Sequence, residues 1–338
     1  MNVTDITTAE THLRDILALA IEYRPPHAAL VVWDAHCNLA ITLTEAYRRC
    51  LPDAVFINFD SVTAETVRAE FARLAPGDLV VLIQSTSFRL DAFRIRVELF
   101  KLALKVIEHP HLSRMPGAEA SLYIASLAYD PAYFRGVGNA LKARIDKAKM
   151  VTIASGGEQL VFASGFESAK LNIGDYRDMN NVGGQFPIGE VFTESLDLEA
   201  VNGRVRIAIF GDTSFTVNKP AQPITLVVSK GRVTEAIAST PEFDQVLANI
   251  RAEEGEVWLR ELGFGLNRAF TQEQTVSDIG TFERMCGIHL SLGAKHGSYN
   301  KPNIRRAEAK YHVDVFAATG TVTLDDEVVY RDGAWLVC

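Results

Sequence analysis

The sequence predicts two domains: an α/β N-terminal domain on a doubly wound parallel sheet, residues 1–148, and a mainly β, α+β C-terminal domain, residues 149–338. Three observations carry this. Up to about residue 150, short β-rich runs alternate with helical ones. Beyond Lys149, runs rich in β-branched residues follow one another across Gly, Asn and Asp turns. The 338 residues are also long for a single core.

In chain order, AALVVW (28–33) is a buried strand and NLAITLTEAYRRC a helix. AVFINF is a second strand, TAETVRAEFARL an amphipathic helix, and DLVVLIQS a third strand. Apolar residues at helical intervals predict a helix over Leu90 to Ile107, then SLYIAS as a strand and YFRGVGNALKARIDKA as a closing helix. In the second half MVTIAS, EQLVFAS, VRIAIFG, ITLVVSKGRVTEAIA and VDVFAATGTVTL read as strands joined by turns such as NGR and SKGR. One helix is expected there, TPEFDQVLANIRA, with Thr240 as its cap and Pro241 at its first position.

Composition excludes several classes of function. Hydrophobic residues make up 48% and charged residues 22%, as in ordinary globular proteins. A formal charge of -8 argues against general nucleic-acid binding, which needs clustered Lys and Arg. No apolar run reaches the ~18 residues of a membrane span, and the N-terminus lacks the pattern of a signal peptide, so no membrane partner and a cytoplasmic location are expected. Cys37, Cys50, Cys286 and Cys338 form no CxxC and read as free thiols.

The chemistry concentrates in the last 150 or so residues, at Glu190, Glu261, His289, His312 and Asp314. Each lies at a strand end or glycine turn: QFPIGE before VFTE, ELGFGLN, GIHLSLG, and HVD in KYHVDVF. Residues two apart on a strand share a face, so HVD presents an imidazole and a carboxylate together. Taken singly, a Glu after a glycine turn is a solvated residue and a lone His on an apolar strand belongs to the core. Together, their apolar neighbours would make ionised carboxylates costly without a cation. Three carboxylates with two histidines also suit a two-metal hydrolytic site of zinc, cobalt or manganese, with Glu261 a candidate proton acceptor.

These segments, NNVGGQFPIGEVFTE, ELGFGLN, GIHLSLG and HVD in that order, resemble the aminopeptidase T family of dinuclear metallopeptidases. The likeness runs from about Lys149 to the C-terminal TVTLDDEVVYRDGAWLV. It implies two divalent metal ions held by Glu190, Glu261, His289, His312 and Asp314, a peptide substrate, and a homodimer with the active site facing an internal cavity. Where the family places a tyrosine that stabilises the oxyanion, this chain has His296 in AKHGSYN, with Tyr299 nearby as a substitute. His296 can serve as a donor; it reads equally as an exposed loop residue.

In length the chain is closer to the fold-related 2,5-dihydroxypyridine dioxygenases, which bind one Fe(II) through two histidines and an aspartate. Glu261 replaces one of those histidines, which argues against that alternative. A third reading is a peptide-binding accessory protein that retains the fold without turnover. Of the remaining residues, Glu194 is expected to face solvent, and Asp34, His36 and Cys37 to cap the next helix or face the domain interface. His109 and His111 are expected in a surface or interdomain loop. No GxGxxG fingerprint accompanies the first strand, so no nucleotide is expected.

Overall fold

The computed structural model describes residues 3–90 and 95–338. The chain forms an α/β unit with a parallel sheet and a second unit dominated by antiparallel strands, the architecture expected from the sequence. The units are Met1–Ala132 with Gly174–Ile188, and Tyr133–Ile173 with Gly189–Cys338. A single cut after residue 148 does not describe this division. Most of the helix Pro131–Ile145 belongs to the second unit, and the strand Gly183–Gln185 returns to the first.

In the first unit five parallel strands lie in the order Val55–Asn58, Ala29–Trp33, Leu79–Ile83, Lys105–His109, Gly183–Gln185. LVVLI at the centre is buried along its whole length, as a parallel strand covered on both faces must be. Val67 and Phe71 of one helix and Leu99 of another pack on Leu30, Val80, Leu82 and Val106. The last strand approaches so closely that a Cβ on Gly183 would lie 1.9 Å from the carbonyl oxygen of Val106. Only glycine fits there.

Two expected elements change type. Residues 91–94 of the expected Leu90–Ile107 helix lie outside the described residues. The rest is a helix over Ile95–Lys101, after which the chain turns and enters the strand Lys105–His109. KVIEH, with Val106 and Ile107 fully buried, is therefore the fourth strand. SLYIAS lies in the helix Ala118–Ser126. A six-residue apolar run does not distinguish the two states, and the preceding Ala118, Glu119 and Ala120 are good helix formers that extend it to helical length.

The second unit carries a 14-stranded sheet among the described residues. Ile224–Ser229 and Arg232–Ile237 form a hairpin in which Lys230 and Gly231 both take positive φ, 49° and 73°, as the SKGR turn implies. The helix Pro241–Glu254 begins where expected, with the amide of Phe243 donating to Thr240 Oγ1 at 3.3 Å. Four neighbouring antiparallel strands form the part that matters most: Glu190–Glu194, Leu259–Gly265, Gly287–Leu292 and Val313–Ala317. No helix among the described residues is long and apolar enough to cross a membrane.

Candidate metal centre

The four strands bring chemistry together through register. Glu194 pairs with Glu261, and Ser291 pairs with Asp314. The amide of Glu261 also donates to Ser291 Oγ at 3.0 Å, so one row across the sheet carries three carboxylates. The next row on that face is Phe192, Gly263, His289 and Phe316, and the next begins with Glu190 opposite Gly265. The period of two along each strand thus aims Glu190, Glu194, Glu261, His289 and Asp314 the same way. All five are buried.

Two sets of ligand-type atoms result. Glu190, Glu261 and His289 place one ligand atom each within 4.8 Å of one another, and so do Glu283, His312 and Asp314. His289 Nε2 lies 3.3 Å from Glu190 Oε1 and 3.2 Å from Glu261 Oε1. In the second set, His312 Nε2 is 3.1 Å from Asp314 Oδ1, while its Nδ1 donates to the carbonyl of Lys295 at 3.1 Å. That bond fixes the ring and turns Nε2 toward the carboxylate, as in metal-binding histidines.

Sequence reasoning missed two members of this cluster, Glu283 and Arg284. They follow the short helix Ile279–Phe282, where an ER pair reads as a solvated helix end and carries no signal of a site. Arg284 ion-pairs with Glu283 and lies 3.7 Å from Glu190 Oε2. One fixed positive charge therefore touches both sets.

His296 is not an exposed loop residue; its side chain is 5% exposed. Its Nδ1 accepts from the amide of Ser298 at 3.2 Å, so its Nε2–H is the group that donates to Glu261 Oε2 at 2.6 Å. Tyr299 stacks on the His296 ring with centroids 5.5 Å apart. Its hydroxyl donates away from the cluster, to the carbonyl of Ser168 at 2.8 Å.

Burial would raise the carboxyl pKa of Glu261, but hydrogen bonds from His289 and His296 hold it well below the ordinary range. His289 shows the converse: burial favours the neutral ring, yet Glu190 and Glu261 raise its pKa well above the usual value. For His312 the same contest, with Asp314 as the main partner, ends at about 10. Crowding by protein, and repulsion from Asp314 and Glu190 against the attraction of Arg284, push Glu283 up. The metal-free cluster thus tends to neutralise itself with protons.

The chain matches no protein-family model and no curated protein. Solved structures do match. The 2,5-dihydroxypyridine dioxygenase from Pseudomonas putida KT2440 aligns with a TM-score of 0.63 and 15% identity, over 98% of this chain and 97% of that one. Wild-type AmpT from Thermus thermophilus aligns with a TM-score of 0.57 and 15% identity, over 98% and 99%. The chain shares its fold with both. Identity at this level carries the fold alone, so the chemistry must be argued from the residues.

The donor set fits divalent metal. Oxygen and imidazole ligands suit zinc, cobalt or manganese. Asp314 Oδ1 is a buried carboxylate oxygen whose near neighbour is His312 Nε2 at 3.1 Å, without good hydrogen-bond geometry, and a cation in place of that contact would stabilise it. Arg284 works the other way, because its charge opposes a second dication beside Glu190 and Glu283.

Glu194 does not face solvent: it is fully buried and paired with Arg260 at 3.0 Å and Lys301 at 3.6 Å. Cys37 caps the helix Asn38–Cys50 by accepting from the amide of Ala40. Asp34 is buried and bonded to Ser85, while His36 pairs with Asp60 at 2.8 Å. His109 is no surface residue; it is fully buried, with Tyr47 Oη 2.9 Å from one ring nitrogen and Tyr123 Oη 2.8 Å from the other. His111 has φ 55° and contacts Ser87 Oγ at 3.1 Å. All four cysteines are free.

Proposed function

We propose that this chain is a metal-dependent hydrolase that removes an N-terminal residue, or cleaves a related amide, from a short peptide. The observation that carries the reading is the pair of carboxylate-rich ligand sets, Glu190/Glu261/His289 and Glu283/His312/Asp314, on neighbouring segments of one unit. Divalent ions held there would polarise the scissile carbonyl and make a water nucleophilic near neutral pH.

The chain's own residues have distinct tasks. Glu261, kept ionised by His289 and His296, suits a ligand better than a proton acceptor. Glu283, whose carboxyl is pushed up in the metal-free cluster, would give up its proton on serving as a ligand. His296 orients Glu261 through its Nε2–H, and Tyr299 holds the His296 ring by stacking. With both polar groups committed in this way, neither is free to serve an oxyanion.

The Fe(II) dioxygenase reading is weaker, although one structural neighbour carries that activity in its name. Each ligand set here contains one histidine and two carboxylates, whereas a facial triad needs two histidines and one carboxylate.

The test is elemental analysis of protein purified without chelators, together with a Glu190→Ala/His312→Ala variant and a panel of aminoacyl and dipeptide substrates. Bound zinc, cobalt or manganese that is lost in the variant along with peptide cleavage supports the hydrolase. One iron per chain redirects it to the dioxygenase. No metal after incubation with excess ions leaves a peptide-binding protein.

A further inference from the structure

Beside the metal-ligand cluster lies a cavity of about 250 Å³ whose walls include Arg260, Lys295, His296, Lys301 and Arg306. We infer that this cavity binds a carboxylate of the substrate, so that the preferred substrates are dipeptides or tripeptides with a free carboxylate close to the cleaved bond. This inference rests on the hydrolase reading for its substrate and on the cavity's charge for its specificity.

The four cations are not equivalent. Arg260 and Lys301 are buried and already balanced: Arg260 Nη2 binds Glu194 at 3.0 Å, and Lys301 Nζ binds Glu167 at 2.8 Å and the carbonyl of Ser195 at 2.6 Å. Their charges are therefore compensated by Glu194 and Glu167. Lys295 and Arg306 are exposed, and among the described residues neither has a carboxylate within ion-pair distance.

Nearby acids are engaged elsewhere. Glu254 accepts backbone amides of Ala294, Lys310 and Tyr311; Glu308 pairs with Arg305 and Glu253 with Lys310. In a chain with a formal charge of -8, a concave site with two uncompensated cations is a local reversal of sign. Such a site attracts anions.

Position defines which anion. His296 is a wall of the cavity and donates to Glu261 of the ligand cluster, so one imidazole separates the two places. In a dipeptide or tripeptide the free carboxylate lies one or two residues beyond the cleaved bond, each extended residue spanning about 3.5 Å, which suits two places held apart by one side chain. A volume of about 250 Å³ leaves no room for a long chain.

The probe is a leucyl-alanine analogue with a reduced, uncleavable peptide bond, prepared as the free acid and as the C-terminal amide. Both are titrated calorimetrically into the metal-loaded protein, a Lys295→Met/Arg306→Met variant and an Arg305→Met control; Arg305 is exposed and does not line the cavity. The expected result is at least tenfold tighter binding of the acid to wild type and control, falling below threefold in the double variant. Equal affinity of acid and amide for wild type, no binding of either, or a preference that survives the double variant overturns the inference. Turnover is scored separately on cleavable leucyl-alanine. A preference without cleavage sinks the hydrolase and spares the cavity, and cleavage without preference does the reverse.

Discussion

The imidazole of His289 occupies the space left by the missing side chain of Gly263. The two residues are partners in adjacent antiparallel strands, and a Cβ on Gly263 would lie 2.0 Å from ring atoms Cε1 and Nε2. The Nε2 so placed is the atom that faces both Glu190 and Glu261. A single hydrogen at position 263 therefore decides whether the first ligand set forms.

Gly263→Ala should displace the imidazole and weaken metal binding by about 10- to 100-fold, the scale of lost ligand support. Overpacking should also destabilise the fold by roughly 1–3 kcal/mol. Calorimetric titration with zinc or cobalt and a urea melt measure the two effects. Wild-type metal affinity in a folded variant would show that the ring is free to move aside.

Arg284→Met should separate two effects of one charge. Without metal, Glu190 and Glu283 lose their shared cation, and removing one partner of a buried pair costs about 3–5 kcal/mol. With saturating zinc or cobalt the variant should regain stability and bind the second ion at least tenfold more tightly than wild type. Melting temperatures with and without metal, alongside metal stoichiometry, give the answer. An unchanged second-site affinity would mean that Arg284 does not oppose the ion.

Metal binding should expel protons. The pKa of His289 is raised well above its usual value and that of His312 to about 10, so both rings carry protons at neutral pH in the metal-free protein. Groups whose folded pKa is raised contribute stability that is complete below about 6.5 and is lost as pH rises toward about 10 for His312. Metal-free protein should accordingly lose stability over that window, while metal affinity increases across it. Titration in buffers of different ionisation enthalpy counts the protons; release of none would contradict the proposed cluster.

His109 gives a pH dependence of the opposite sign in the other unit. Burial pushes its pKa down to about 3, while both ring nitrogens stay engaged by Tyr47 and Tyr123. The unfolded chain takes up the proton first, so the contribution of His109 is complete above about 6.5 and is lost as pH falls toward about 3. The loss approaches roughly 5 kcal/mol. Urea unfolding between pH 7 and pH 4 should show a steeper decline for wild type than for His109→Gln. Parallel declines would assign the acid sensitivity elsewhere.

Much of this was legible in the chain. Alternating patterns announced the parallel sheet, Thr240 and Pro241 marked a helix start, and SKGR marked a hairpin turn. The acidic and imidazole residues at strand ends and glycine turns pointed to the cluster, since a period of two specifies which side chains share a face. SLYIAS and KVIEH were misread because short apolar runs acquire their state from what they pack against.

The sequence by itself determined the fold class and the strand faces, because these follow from local periodicity, and the five ligands it proposes fall within the two candidate sets. Tertiary structure alone decided that Glu283 and Arg284 join them, that Glu194 is buried against Arg260 and Lys301, and that His296 binds Glu261. These residues come from segments tens of positions apart. Their charges become costly or useful only once register removes them from water, and no local pattern records that long-range desolvation.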